Sequence, residues 1–299
     1  MKLQKKELTY KSSDTEEIID KVFYRQMGYY IALACSKTGI TPNALTISSI
    51  IIGSIAGFLF YSPEIAAIIA GIILFIIADI FDSADGQLAR LTGAMSKFGR
   101  ILDGVGGNII FVVIYISIAF KMIDGGATAG MIILLTILSM YSHSVQSALA
   151  DYYRNIYLYF REGRSHSEID STKDIKILIK NSGFFKKIIY TLYFLYTSEQ
   201  EIFSVNAAKL ISTAQARFPE AMPADISELY TSLNKKNIKY YNLLTVNTRV
   251  IVLFISLLLK IPIAYLILEL TAFNILLIYV ILIQKKNNDI LISKIINYQ

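Results

Sequence analysis

Asp79, Asp82 and Asp85 recur at three-residue intervals where a long apolar run ends, and Asp103 opens the next run. An Asp at membrane depth costs about 2.5 to 3.5 kcal/mol on insertion scales, so such residues usually face a polar cavity or a bound ion. A step of three residues turns a helix by about 300°, which makes Asp82 and Asp85 neighbours on one side. After one short connection, Asp103 can face them from the adjacent helix. Converging carboxylates repel unless a cation offsets their charge. Oxygen ligands with no His or Cys nearby indicate Mg²⁺ or Mn²⁺, often with a phosphate-bearing substrate completing the shell. The neighbouring residues suit a ligand pocket. Gly86 and Ala89 keep the helix face open beside Asp85, Arg90 carries a fork of donors for phosphate, and Gly99 opens the third helix. The competing reading makes the carboxylates solvated helix ends, paired with Arg90 and Arg100.

The elements that must position these residues are membrane helices. Of 299 residues 54% are hydrophobic and 17% charged, with mean hydropathy +0.50, against roughly 25% charged in soluble domains. Crossing roughly 30 Å of hydrocarbon takes about 20 mostly apolar residues. Six runs qualify, near residues 44–61, 64–83, 101–120, 126–150, 246–259 and 263–284. Stretches such as Ile72 to Ile77 do not alternate as barrel strands would. The expected fold is therefore an all-α polytopic membrane protein with six transmembrane helices.

Lysine and arginine mark the sides, since cytoplasmic loops accumulate them. Segments 1–43, 84–100, 151–245 with Arg249 at its edge, and 285–299 hold 27 of the 29. Both termini and the long polar segment are therefore read as cytoplasmic in an integral cell membrane protein. The net charge of +6 fits a face beside anionic headgroups, and nucleic-acid binding explains it poorly. The expected layout is a cytoplasmic N-terminus with an interfacial helix (1–43), four spans carrying the site (44–150), a helical cytoplasmic cap (151–245), two spans (246–284) and a tail (285–299). Within the first part, Glu17 to Ser36 carries Phe23, Tyr24, Met27, Tyr29, Tyr30 and Leu33 among polar residues, as an interfacial helix would. Stretches 184–196 and 202–216 have the composition of amphipathic helices. The charged first twenty residues show no signal peptide. The single Cys35 excludes a disulfide framework, and His143 and His166 are too far apart for a His-rich zinc site.

The run Asp82-Ser-Ala-Asp85-Gly86-Gln-Leu-Ala89-Arg90, then Gly99, then Asp103, resembles the signature of the CDP-alcohol phosphotransferases. Seven of the eight fixed positions of that motif match at the right spacing. Thr41-Pro42-Asn43-Ala44-Leu45-Thr46 likewise resembles the Pro-Asn-x-x-Thr stretch that precedes the family's first span. The resemblance covers roughly residues 20–150. It implies transfer of a phosphate-linked group from a CDP-activated donor to an alcohol hydroxyl with release of CMP, in phospholipid synthesis. It further implies Asp82, Asp85 and Asp103 as ligands of Mg²⁺ or Mn²⁺, and Asn43, Thr46, Asp82, Gly86, Ala89, Arg90 and Gly99 around the substrate. CDP-diacylglycerol or another CDP-linked donor, a polar alcohol acceptor, the bilayer and a homodimer are the implied partners.

One position departs from the pattern. The family's last Asp, expected as metal ligand and base, is Gly107 here, and Asn108 follows. A bulge at Gly104, Gly106 and Gly107 would turn Asn108 inward; otherwise these glycines serve close helix packing. A missing base is worth about 10² to 10⁴ in rate, so the catalytic candidates are Asp103, Asn108 and Asp79. Three further readings compete: a CDP-choline or CDP-ethanolamine donor with a lipid alcohol acceptor, a homologue that only binds CDP-lipid, and a six-span transporter.

Overall fold

A computed structural model describes residues 14–164 and 167–298. Lys2, Lys5, Lys6, Glu7 and Lys11 of the charged N-terminal stretch, and His166, lie outside the described residues. The elements are a π-helical turn (Asp20–Tyr24), α1 (Arg25–Cys35), α2 (Pro42–Leu59), α3 (Ile65–Thr92), α4 (Lys97–Asp124), α5 (Ala129–Glu162), α6 (Thr172–Lys180), α7 (Phe184–Phe203), α8 (Val205–Arg217), α9 (Ala224–Asn234), α10 (Ile238–Leu243), α11 (Val246–Leu258), α12 (Pro262–Leu270) and α13 (Ala272–Ile296). The protein is all-α. Among the described residues, six stretches are long and apolar enough to cross a membrane: α2, α3, α4, α5, Ala224–Leu258 and Pro262–Ile296.

Two compact units share the chain. The first comprises the chain up to Met140, Ser182–Tyr193 and Ile251–Ile267; the second comprises Tyr141–Asn181, Phe194–Val250 and the chain from Leu268.

In the first unit, α1 buries Gly28, Ala32 and Cys35 at helical spacing and leaves Met27 and Tyr30 exposed. Ala32 and Cys35 meet Leu45 of α2 and Ala84 and Leu88 of α3. Thr41 caps α2, its hydroxyl accepting the Ala44 N–H at 3.3 Å, with Pro42 in the first turn, where a missing N–H costs nothing. Beyond the apolar run, which ends near residue 83, α3 continues as one helix to Thr92, where Ala84, Gln87 and Leu88 keep packing. Gly93, at φ +69°, ends it in the left-handed conformation that glycine adopts without strain. Ser96 then caps α4 by accepting the Gly99 N–H at 3.0 Å. Deeper in the unit, Phe75 meets Phe111 and Phe254 edge to face. Lys260, with φ +59°, makes the turn into Pro262.

In the second unit, α5 runs past the expected end near 150 to Glu162, since Tyr153, Ile156, Tyr157 and Phe160 are all buried. Phe160 stacks on Tyr230 at 4.3 Å. Gln284 accepts from the Tyr241 hydroxyl at 2.7 Å and donates to the Tyr230 oxygen at 2.8 Å. Arg249 is fully buried here. Its Nη1 donates to Glu269 at 2.6 Å, its Nη2 to Gln146 at 2.8 Å, and Nε and Nη2 both reach the Leu244 carbonyl that the break between α10 and α11 leaves over. The guanidinium lies over the Phe273 ring.

Candidate metal and phosphate site

Helices α3 and α4 form a hairpin closed by four residues, and that turn brings three carboxylates together. One oxygen from each of Asp82, Asp85 and Asp103 lies within 4.8 Å of the others. Asp82 is exposed, Asp103 half-buried and Asp85 buried. Asp82 and Asp103 are in hydrogen-bonding contact. Bare carboxylates at such range repel, and a divalent cation removes the repulsion; three hard oxygen donors with no sulfur or imidazole suit Mg²⁺ or Mn²⁺.

The shell around the carboxylates comes from three helices. Thr46 of α2 is buried and its hydroxyl donates to Asp85, which fixes that carboxylate's orientation. Asn43, also on α2, touches the start of α4: a Cβ at Gly99 would stand 2.8 Å from its Oδ1. Only a residue without a side chain admits that approach. Arg90 lies one turn beyond Gly86, and its Nη1 is 3.5 Å from where a Cβ at Gly86 would be. Among the described residues its Nε and Nη2, both buried, have no hydrogen-bond partner. A buried donor left unsatisfied is costly, so the arrangement favours an acceptor from outside, such as phosphate oxygens. Ala89 is half-buried beside it.

Two expected participants stand apart. Asp79, one turn before Asp82, is not in the group of three; it accepts a hydrogen bond from Tyr24. Burial and the facing Asp79 push the Tyr24 phenol well above its usual range, keeping it a donor. The alternative of a bulge that turns Asn108 inward is not what forms: α4 stays α-helical from Lys97 to Asp124. Asn108 thus keeps its offset of about 100° from position 107. The glycines differ in role. A Cβ at Gly106 would meet Ile50 at 2.9 Å, as close packing requires, whereas one at Gly104 or Gly107 would meet nothing within 4 Å.

Sequence reasoning missed the contacts that tie the segment before the first span to the site. Arg25 pairs with Glu16 at 3.0 Å, and both act electrostatically on Arg90. Gln87, inside the motif at an unfixed position, donates to the Arg25 carbonyl at 3.1 Å and so ties α3 to this segment. Residues 14–25 carry four acids followed by two bases, a pattern too common in sequences to have pointed here.

Fold and site together define an integral membrane helical protein with a carboxylate and arginine centre at one end of its spans. Comparison places it more narrowly. Residues 39–157 match the family model for CDP-alcohol phosphatidyltransferase. The chain is similar to an archaetidylinositol phosphate synthase of Pyrococcus horikoshii, 36% identical over 121 residues, which are 40% of this chain and 61% of that protein. It is also similar to CDP-diacylglycerol–glycerol-3-phosphate 3-phosphatidyltransferases of Rickettsia typhi and Rickettsia prowazekii, each 33% identical over 69 residues. These matches cover 23% of this chain and 39% and 38% of the two relatives. The chain thus spans less than two thirds of the length of each relative. No solved structure matches.

Proposed function

We propose that the chain is a metal-dependent CDP-alcohol phosphotransferase that moves a phosphatidyl-type group from CDP-diacylglycerol, or a similar CDP-linked lipid, to a phosphorylated polar alcohol. The observation that carries this reading is the trio Asp82, Asp85 and Asp103 beside Arg90, whose buried Nε and Nη2 have no hydrogen-bond partner among the described residues. Names of the relatives include inositol phosphate and glycerol-3-phosphate, which favours an acceptor that itself bears phosphate.

In this reading Asp82, Asp85 and Asp103 would hold Mg²⁺ or Mn²⁺, which when bound would supply Lewis-acid chemistry to the donor's diphosphate. Thr46 keeps Asp85 oriented, and Arg90 binds phosphate oxygens through its planar fork. Gly86, Ala89 and Gly99 leave space for the nucleotide, and Asn43 borders it. The acceptor hydroxyl oxygen attacks the lipid-bearing phosphorus; a new P–O bond forms as the bond to CMP breaks, and CMP leaves with the electron pair. Asp103, one turn from position 107, receives the hydroxyl proton. Asp79 serves Tyr24 and Asn108 is turned aside, so neither takes this role. The distribution of Lys and Arg supports a cytoplasmic site with both termini on that side, residues 151–245 as a cytoplasmic insertion, and residues 1–43 as its N-terminal approach. A homodimer rests on the family likeness alone.

A second reading, a protein that binds CDP-lipid without turnover, is favoured by Gly107, which leaves no carboxylate one turn after Asp103. One assay separates them. Purified protein in lipid, with Mn²⁺ or Mg²⁺, CDP-diacylglycerol and a panel of alcohols, is followed by CMP release. Acceptor- and metal-dependent CMP supports the enzyme. Saturable CDP-lipid binding without CMP supports the binder, and neither result removes both.

A further inference from the structure

The family match stops at residue 157, and the insertion that follows has no role in the site described above. Its helix α7 presents apolar side chains on two faces. In the first half, Ile189 and Tyr190 are buried, and Tyr190 meets the Phe98 ring edge to face at 5.9 Å. Phe184, Phe185, Ile188 and Leu192 stand on the other face, 83%, 60%, 45% and 41% exposed. Positions 184, 188 and 192 follow one helical stripe, with 185 at its flank. A helix of a water-soluble cap puts its single apolar face inward; this one has a second, outward stripe.

Its position says what covers that stripe. Phe98 is the second residue of α4, and Asp103 lies five residues further, about 7.5 Å along the helix. Contact with Phe98 therefore holds the first half of α7 beside the end of the span that carries the carboxylates, where the apolar belt meets polar residues. The flanks are cationic. Lys186 reaches over Phe98 at 5.2 Å and Lys187 is exposed. Together with Lys173, Lys176 and Lys180 they put five lysines and one acid, Asp174, in residues 172–193. Such a pattern seats helices at the boundary of headgroups and acyl chains in anionic leaflets.

We propose that Phe184–Tyr193 is an interfacial helix whose Phe184, Phe185, Ile188 and Leu192 stripe sits in an anionic leaflet at the level of the carboxylate trio. Part of the insertion is then a membrane-surface element beside the site, and not a cap held in water. The proposal depends on the membrane position of the spans and not on catalysis.

The chain has no tryptophan, so Phe184→Trp and, separately, Ile188→Trp each place one reporter in the full-length protein. Each variant is reconstituted in phosphatidylcholine vesicles with and without phosphatidylglycerol, using lipids brominated at successive depths and aqueous acrylamide as quenchers. Both reporters should emit to the blue of a water-exposed tryptophan, respond most strongly to the shallowest bromines and be shielded from acrylamide. Phosphatidylglycerol should increase the bromolipid quenching, and Lys180→Gln with Lys187→Gln should abolish that increase. Free acrylamide access without bromolipid quenching would put the stripe in water. Shielding from both quenchers would mean that protein, such as a second copy, covers it. Either result overturns the proposal, and equal quenching in neutral and anionic vesicles removes its anionic component.

Discussion

Two polar centres sit in this apolar chain, and they are built on opposite rules. At Arg249 every strong charge has its complement: Glu269, Gln146 and the Leu244 carbonyl surround a guanidinium that no solvent reaches. At Asp82, Asp85 and Asp103 like charges are gathered, with Thr46 orienting one of them and Arg90 holding two buried donors that have no hydrogen-bond partner among the described residues. The first centre balances its cation with an anion, joins residues from α5, α11 and α12 and accounts for a carbonyl at a helix break. In the proposed reading the second is completed by a cation and an anion. In an apolar protein, then, balance among buried charges points to stability, and imbalance points to a ligand.

The comparison is broken most severely at Arg249. Arg249→Met leaves Glu269 without its ion-pair partner, a change that costs about 3–5 kcal/mol in buried pairs. Loss of thermal stability in detergent, seen by gel filtration after heating, is the expected result. Adding Glu269→Leu should recover most of that loss, because replacing both partners leaves no uncompensated charge. If the single variant is as stable as the parent, the pair is not a stabilising centre.

At the other centre, Asp85→Asn should leave stability nearly unchanged and weaken Mn²⁺ binding by more than about a hundredfold, since loss of mere supporting partners costs 10- to 100-fold. Titration calorimetry measures this directly. An unchanged affinity would move the metal elsewhere.

Gly107→Asp sharpens the contrast by adding charge where it is already in excess. Open space at this position admits the side chain. CMP release should rise about tenfold or more, a part of the 10² to 10⁴ expected of a positioned base. A folded, Mn²⁺-binding variant that turns over no faster would show that a carboxylate at position 107 adds nothing to Asp103 as base.

The smallest change is Arg90→Lys, which keeps the charge and loses the fork. CDP affinity should fall by roughly tenfold, about the worth of one charge-assisted hydrogen bond. Equal affinity in the two proteins would make Arg90 a packing residue.

Much of the acidic centre was legible because its geometry is local. Asp82, Asp85, Gly86 and Arg90 share one helix, and Asp103 follows after a short turn, so helical periodicity alone brings them near one another. Six apolar runs and the all-α fold were legible for a similar reason, since hydropathy acts over windows of about 20 residues. The sequence likewise showed that position 107 lacks a carboxylate, although it left open whether the glycines there served packing.

Tertiary structure decided what depends on contacts far apart in the chain. It drew Tyr24 to Asp79, leaving that residue outside the carboxylate trio, and it gave Gly106 to Ile50 while leaving Gly107 in open space. It also paired Arg249 with Glu269 and Gln146, up to 103 residues away. No periodicity predicts such partners, because a buried charge is satisfied by whichever polar group packing brings within about 3 Å, whatever its distance along the chain. Patterns that repeat along one helix could therefore be read in one dimension, whereas the balance or imbalance of charge that separates the two centres exists only in three.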